Sequence, residues 1–401
     1  MKNIVNKSEE YVHKVCCETF LSVWSYANPQ GKNSSKELCD ILVVCDPHII
    51  IISVKEITPT ESAETKTDWA RWRRKAIEAS AKQIYGAERW IGAASHVIKC
   101  NGEKGLPLPP LHERCVHRIA VAFGSQGKVP ISFGDFGKGF VHVLDEISFN
   151  ILLRNLDTIQ DFVGYLSKKE SLYISGVKTV IEGGEEDLLA IYLHSGRDFP
   201  KSDLLVIGDD LWNGFKNKPE VIAKQREDEI SYVWDRIIET IGKDILHGNM
   251  EFGHSLEESE VGIRTMANEN RFSRRLLGRA FEEFLNLAGQ SKVRSRYLVS
   301  PSSVIYVFLA VPHGEDRKFR LTELSGRCFV ARSINQTSRV VVGIGTERPG
   351  TGKGFSFDLV YLYKETWSSE DQKQAEYAKR EFGYFSKPVV KSYGEDDYPN
   401  T

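Results

Sequence analysis

The chain has 401 residues, 41% of them hydrophobic, which is enough for two or three domains with a sizeable core. Its 53 Lys+Arg and 55 Asp+Glu leave a formal net charge of -2, which excludes a protein held to nucleic acid by overall basicity; any phosphate contact must come from a local patch. Seven cysteines without a CxxC pair exclude a disulfide framework and predict a reducing compartment, and the ten histidines show no HExxH spacing for zinc.

The opening stretch MKNIVNKSEEYVHKV lacks the apolar core of a secretory leader, and the apolar runs further on are only strand-sized. The expectation is a cytoplasmic protein with no membrane span. Residues 8 to 27 predict an amphipathic helix, with Val12, Val15, Cys16, Phe20, Val23 and Trp24 recurring at three and four and Ser8 as N-cap. ANPQGKNSSK is a loop. ELCDILVVCDPHIIIISVKE (37–56) then predicts two strands, about 37–45 and 48–57, joined as a hairpin at Asp46-Pro47.

A polar loop leads into a long helix expected from Thr67 to Ala94, with Trp69, Trp72, Ala76, Ala79, Gln83, Ala87 and Trp90 on one stripe. Strands are predicted at 116–124 and 138–145. Helices are predicted within 147–195, at 227–246 and at 273–289, the last stopped by a glycine. Afterwards RYLVS, SVIYVFLAV, RCFVARSI, RVVVGIGTE and FSFDLVYLYK read as strands, and 368–383 as a charged helix. The fold class expected is α/β: a domain over 1–146 with a central mixed sheet, a helical segment over 147–246, and an α+β C-terminal domain over 247–401.

The hairpin carries an acid and a lysine inside otherwise apolar strands. Side chains alternate faces along a strand, so Ser53 and Lys55 share one face, and a turn at Asp46-Pro47 brings Asp40 towards it. Burying a carboxylate and an ammonium is costly unless they pair or meet a metal. A divalent-cation site that stabilises charge in phosphodiester hydrolysis gives such a placement a purpose. A plain hairpin with a solvated Asp and Lys at its strand ends explains the spacing equally well.

ELCDILVV followed by IIIISVKEI resembles the PD-(D/E)xK nuclease superfamily, and especially its nuclease-related domains, in which an E-x-x-D strand precedes a strand ending in x-K. The resemblance covers about residues 8 to 145, roughly the first third of the chain. It implies a restriction-endonuclease-like fold for 1–146, Asp40 as ligand of Mg²⁺ (or Mn²⁺), Lys55 as the catalytic lysine and Gln83 as a polar helper. It also implies nucleic acid as partner, DNA before RNA, with a setting such as bacterial defence and homo-oligomerisation compatible with it.

The chain departs from the pattern at Ser53, where the second acid belongs. The acid has migrated to Glu64 or Glu78; or Glu37, or a first-helix glutamate such as Glu10 or Glu18, completes the metal shell; or the site is degenerate and the domain is a silent module binding nucleic acid or protein. RWRRK supplies Arg71, Arg73, Arg74 and Lys75 as candidate phosphate contacts, against the ordinary reading of a solvated helix face. Trp69 and Trp72 offer stacking surfaces, but their stripe reads as core. GTERPGTGKG fails the phosphate-loop pattern because Glu347 stands for its first glycine and Gly354 for its Ser or Thr, and the DFG at 135–137 has no accompanying kinase motifs.

Overall fold

The computed structural model describes residues 6–31, 37–58, 65–125, 133–247, 256–350, 355–386 and 394–399. The chain forms two compact units, Met1–Ile222 and Ala223–Thr401. The sequence placed breaks after 146 and after 246. The first falls inside a continuous structure, because Asp145 ends a strand and caps the next helix through Ile147 and Ser148.

In the first unit, α1 (Lys7–Phe20) stops earlier than its periodicity suggests. Leu21 has φ 70°, and Ser25–Ala27 forms a short strand, β1, where helix was expected. β2 (Ile41–Cys45) and β3 (His48–Glu56) form the expected antiparallel hairpin around Asp46-Pro47. The long helix is three pieces: α2 (Thr65–Arg73), a π-turn at Arg74–Glu78, and α3 (Ala79–Ile91). The wider turn advances the phase, so Ala79, predicted on the buried stripe, faces solvent while Ala76, Ala81, Ile84 and Ala87 pack inward.

β4 (His96–Ile98) and β5 (Lys104–Pro107) make a separate two-stranded sheet. β6 (Cys115–Phe123), β7 (Gly134–Asp135) and β8 (Phe140–Asp145) complete the main one. Its order is β1-β2-β3-β6-β8-β7, with β3, β6 and β8 parallel and the remaining pairs antiparallel. One face packs Leu42, Val44, Ile49, Ile51, Ala120 and Val143 against α3. The other is covered by α1 and α4 (Glu146–Asn155).

Between α5 (Ile159–Ile174) and α8 (Pro219–Asp228) the sequence predicted only helix. The chain instead forms β9 (Lys178–Ile181), α6 (Glu185–His194), β10 (Leu204–Ile207) and α7 (Leu211–Lys216), with β9 and β10 paired in parallel. A parallel pair needs a crossover, and α6 supplies it.

The second unit holds α9 (Tyr232–Leu246), α10 (Leu256–Ala267), α11 (Arg271–Gly289), β11 (Ser295–Val299), β12 (Ile305–Val311), α12 (Arg317–Ile334), β13 (Val340–Glu347), β14 (Asp358–Tyr363) and α13 (Ser369–Phe382). The sheet order is β11-β12-β13-β14, parallel only at β12–β13. RCFVARSI, predicted as a strand, is the last two turns of α12: Leu324, Cys328 and Ala331 recur at four and three and pack on Val307, Leu309 and Val341. Here the need to cross over between parallel strands, and the cap at Asp316, outweigh local β propensity. The opposite face packs Tyr306 and Phe308 against Trp234, Phe281 and Phe284.

Candidate functional site in the hairpin

Ile41 pairs with Ile52, so the next step of the ladder falls at Asp40 and Ser53. Asp40 leaves the ladder there. Its backbone carbonyl accepts from Asn28 N, and its side chain turns onto β3, where Oδ2 accepts the Val54 N–H. Its carboxylate is 3% exposed at the residue level and lies 3.8 Å from Lys55 Nζ through Oδ2. The acid and the lysine therefore meet, with Lys55 on the Ser53 face that alternation along β3 predicts for it.

Gln83 reaches the same place from α3. Its Nε2 donates to Asp40 Oδ1 at 3.2 Å, and its Oε1 accepts from Ser53 Oγ at 3.0 Å. Both ends of the amide are thus used, which fixes its orientation and aims its NH₂ at the carboxylate. Ser53 is fully buried and serves as a support for Gln83.

Two glutamates complete the electrostatics. Glu37, held by a lone bridge to Gln30, turns its carboxyl to Asp40; burial first, then a hydrogen bond and repulsion from Asp40, push it up to about 7. Glu9 of α1 is also raised, by burial and then by Asp40, with Lys55 opposing. Three acids and one lysine thus crowd one end of the hairpin.

The sequence named Glu18 and Glu10 as first-helix acids. Glu18 pairs with Lys14 on the exposed side of α1, and Glu10 is also exposed; the structure brings neither to the cluster. Nine residues of α-helix turn Glu18 about 180° from Glu9. The phase held the signal, since Glu9, Val12 and Cys16 lie on one stripe and the last two are buried. Glu78 pairs with Arg73 on the surface, and Glu64 lies outside the described residues.

The basic run is only loosely gathered. Arg71 reaches Asp68 at 3.5 Å, Arg73 reaches Glu78 at 3.6 Å, and Arg74 and Lys75 are exposed. Trp72 is core: its Nε1 donates to Ile57 O at 2.6 Å, and Trp69 packs beside it. The loop at 351–354 lies outside the described residues.

Among the described residues no three His, Cys, Asp or Glu side chains converge as a ready-made metal cage. Mg²⁺ does not require one: it is held through one or two carboxylates, water and substrate phosphate. Asp40 and Glu37 form such a pair: burial first, and then the hydrogen bond to Asp40 and repulsion from it, raise Glu37, and a divalent cation would relieve the repulsive part. On that chemistry the residues present fit the ion.

Compared with protein-family models, with curated proteins and with solved structures, the chain matches none. The site's own geometry therefore carries the functional reading. Among the described residues no helix is long and apolar enough to cross a membrane.

Proposed function

We propose that the first unit is a restriction-endonuclease-like domain and that the protein is a metal-dependent nuclease hydrolysing phosphodiester bonds, in DNA before RNA. The observation that carries this reading is the 3.8 Å approach of Lys55 Nζ to the buried Asp40 carboxylate, with Gln83 bonded to the same carboxylate from α3. Asp40 and Glu37 would hold the Mg²⁺ or Mn²⁺. When bound, that ion supplies Lewis-acid stabilisation of the phosphate charge and a more acidic bound water.

The chain's own residues do the rest. Lys55, one third exposed at its side chain, presents its ammonium both to Asp40 and to the solvent side from which a phosphate approaches. A cation there stabilises negative charge as it grows on the phosphate. Gln83 is a positioning residue: held by Ser53, it keeps Asp40 in one orientation. Glu37, pushed up to about 7 and so about half protonated at pH 7, would lose its remaining proton when a cation binds.

The competing reading is a silent module that binds nucleic acid or protein. It is favoured by Ser53, which fills the place of an acid and spends its hydroxyl on Gln83. The deciding experiment incubates plasmid DNA, single-stranded DNA and RNA with Mg²⁺ or Mn²⁺ and compares the wild type with Lys55→Ala. Cleavage that disappears in the variant supports the nuclease. Absence of cleavage with either metal, alongside retained nucleic-acid binding, rejects it in favour of the silent module.

A further inference from the structure

α11 carries arginines at 271, 274, 275 and 279, spaced three, one and four apart along one side of the helix. Lys224 of α8 joins them. Three carboxylates from the adjoining helices meet these five cations. Asp235 takes Arg271 at 2.8 Å and Arg274 at 2.6 Å. Asp228 takes Lys224 at 2.5 Å and Arg275 at 3.3 Å, and Glu227 takes Arg279 at 2.6 Å. The stripe thus has more cations than these helices match.

Segment 394–399, near the C-terminal end, supplies the difference. Glu395 pairs with Arg279, and Asp397 pairs with Lys224 at 2.8 Å. The carbonyls of Asp396 and Asp397 accept from Arg275 Nη2 at 2.7 and 3.2 Å. Arg275 is 1% exposed; its Nη1 lies in the 3.3 Å ion pair with Asp228, and its Nε finds no hydrogen-bond partner. A guanidinium offers five donors in a planar fork that matches phosphate geometry; here two carbonyls share Nη2, Asp228 pairs with Nη1, and the Nε–H is left over, so part of that capacity is unused. Asp397 also pushes the Asp228 carboxyl upward, adding to the effect of burial, so the acidic segment sits against like charge. The rings of Phe272 and Tyr232 lie against Arg275 and Arg271 at 4.9 and 4.5 Å, flanking the cations with aromatic surface.

We propose that Lys224, Arg275 and Arg279 form a phosphate-binding site for the backbone of nucleic acid, and that the acidic segment 394–399 occupies it as an internal competitor. The segment imitates a phosphate backbone with two carboxylates and two carbonyls, and its release uncovers the site. The site lies wholly in the second unit and does not depend on hairpin chemistry.

The test is equilibrium binding of fluorescein-labelled 20-nucleotide DNA, single- and double-stranded, in EDTA and in a Lys55→Ala background so that cleavage cannot interfere. The full chain is compared with a chain ending at 393 and with the full-length double variant Glu395→Gln/Asp397→Asn. The truncated chain is expected to bind about tenfold more tightly with a steeper salt dependence, and the double variant to shift the same way by about threefold. Adding Arg279→Ala to either is expected to reverse most of the gain. Equal affinity for the full chain, the truncated chain and the double variant overturns the proposal and leaves the segment as a structural strap. The double variant keeps the test valid if the truncated chain fails to fold. Tighter binding on tail removal here, together with absence of cleavage by the chain that retains Lys55 in the Mg²⁺ and Mn²⁺ assay, would reject the nuclease reading and keep this one.

Discussion

The Asp40–Lys55 pair is unequally buried, and that asymmetry predicts an unequal response to mutation. The Asp40 side chain is 4% exposed and that of Lys55 is 32% exposed. Two unit charges about 4 Å apart attract by about 4 kcal/mol at an effective dielectric constant near 20. Water at the lysine end reduces this, and the Val54 N–H and Gln83 amide continue to support the carboxylate when the lysine is gone. Lys55→Met, which leaves a buried carboxylate without its cation, is therefore expected to cost ~2 kcal/mol, below the range for a fully buried pair. Asp40→Asn keeps an acceptor for Val54 N and frees a lysine that can turn to water, so it is expected to cost ~1 kcal/mol. Asp40→Asn/Lys55→Met is expected to resemble Asp40→Asn alone, giving a coupling energy of ~1–2 kcal/mol. Urea unfolding of the four proteins measures all three quantities, and plasmid cleavage with Mg²⁺ is expected to be lost in every variant, including the stable ones. Additive single costs, or a Lys55→Met chain as stable as the wild type, would refute a coupled pocket; cleavage that survives in Lys55→Met would refute a role for the ammonium.

Ser53→Asp places another acid among Glu9, Glu37 and Asp40, and is expected to lower the melting temperature in EDTA and to gain more from added Mn²⁺ than the wild type does; equal metal response in both proteins would argue against a cation site here. Gln83→Leu removes the bonds to Ser53 and Asp40, so cleavage is expected to fall at least about tenfold and stability by ~1–2 kcal/mol, with Gln83→Asn recovering little because the shorter amide cannot span both partners. On the other face of the sheet, burial and then repulsion from His48 and Arg118 lower His117 to about 3, and burial also holds His142 well below the usual histidine range. The unfolded chain takes up these protons first, so their contribution to stability is complete above about pH 6.5 and is lost as pH falls towards 3, at up to ~1.4 kcal/mol per pH unit for each histidine. Urea midpoints between pH 7.5 and 5 measure this, and His117→Phe should flatten the slope; an unchanged slope would place the titration elsewhere.

Much of the hairpin was legible because its rules are short-range. Alternation in IIIISVKE puts Ser53 and Lys55 on one face, and Asp-Pro between two apolar runs marks the turn. Gln83 stood out as a polar residue on an apolar helical stripe, and it does meet Asp40, although the stripe itself is rephased by a π-turn that no spacing in the sequence announced. Glu9 is separated from Glu18 by half a turn, so only the phase of α1, not the presence of glutamates in it, distinguishes the one that approaches Asp40. The strand predicted at RCFVARSI failed for a different reason: eight residues with single Phe, Val and Ile side chains fit either state until the helix-forming run before them, and the two parallel strands around them, are considered together.

By itself the sequence determined the near-neutral charge, the apolar periodicities, the hairpin turn and the face shared by Ser53 and Lys55, since each depends only on residue type and on spacing along a few bonds. Tertiary structure alone decided that Glu9 approaches Asp40, that β9 and β10 pair across a helix, and that residues 394–399 lie on the arginine stripe of α11. Those contacts join residues many positions apart. Their distances are set by how whole helices and strands pack to remove apolar surface from water, a condition on the folded chain that no short segment contains.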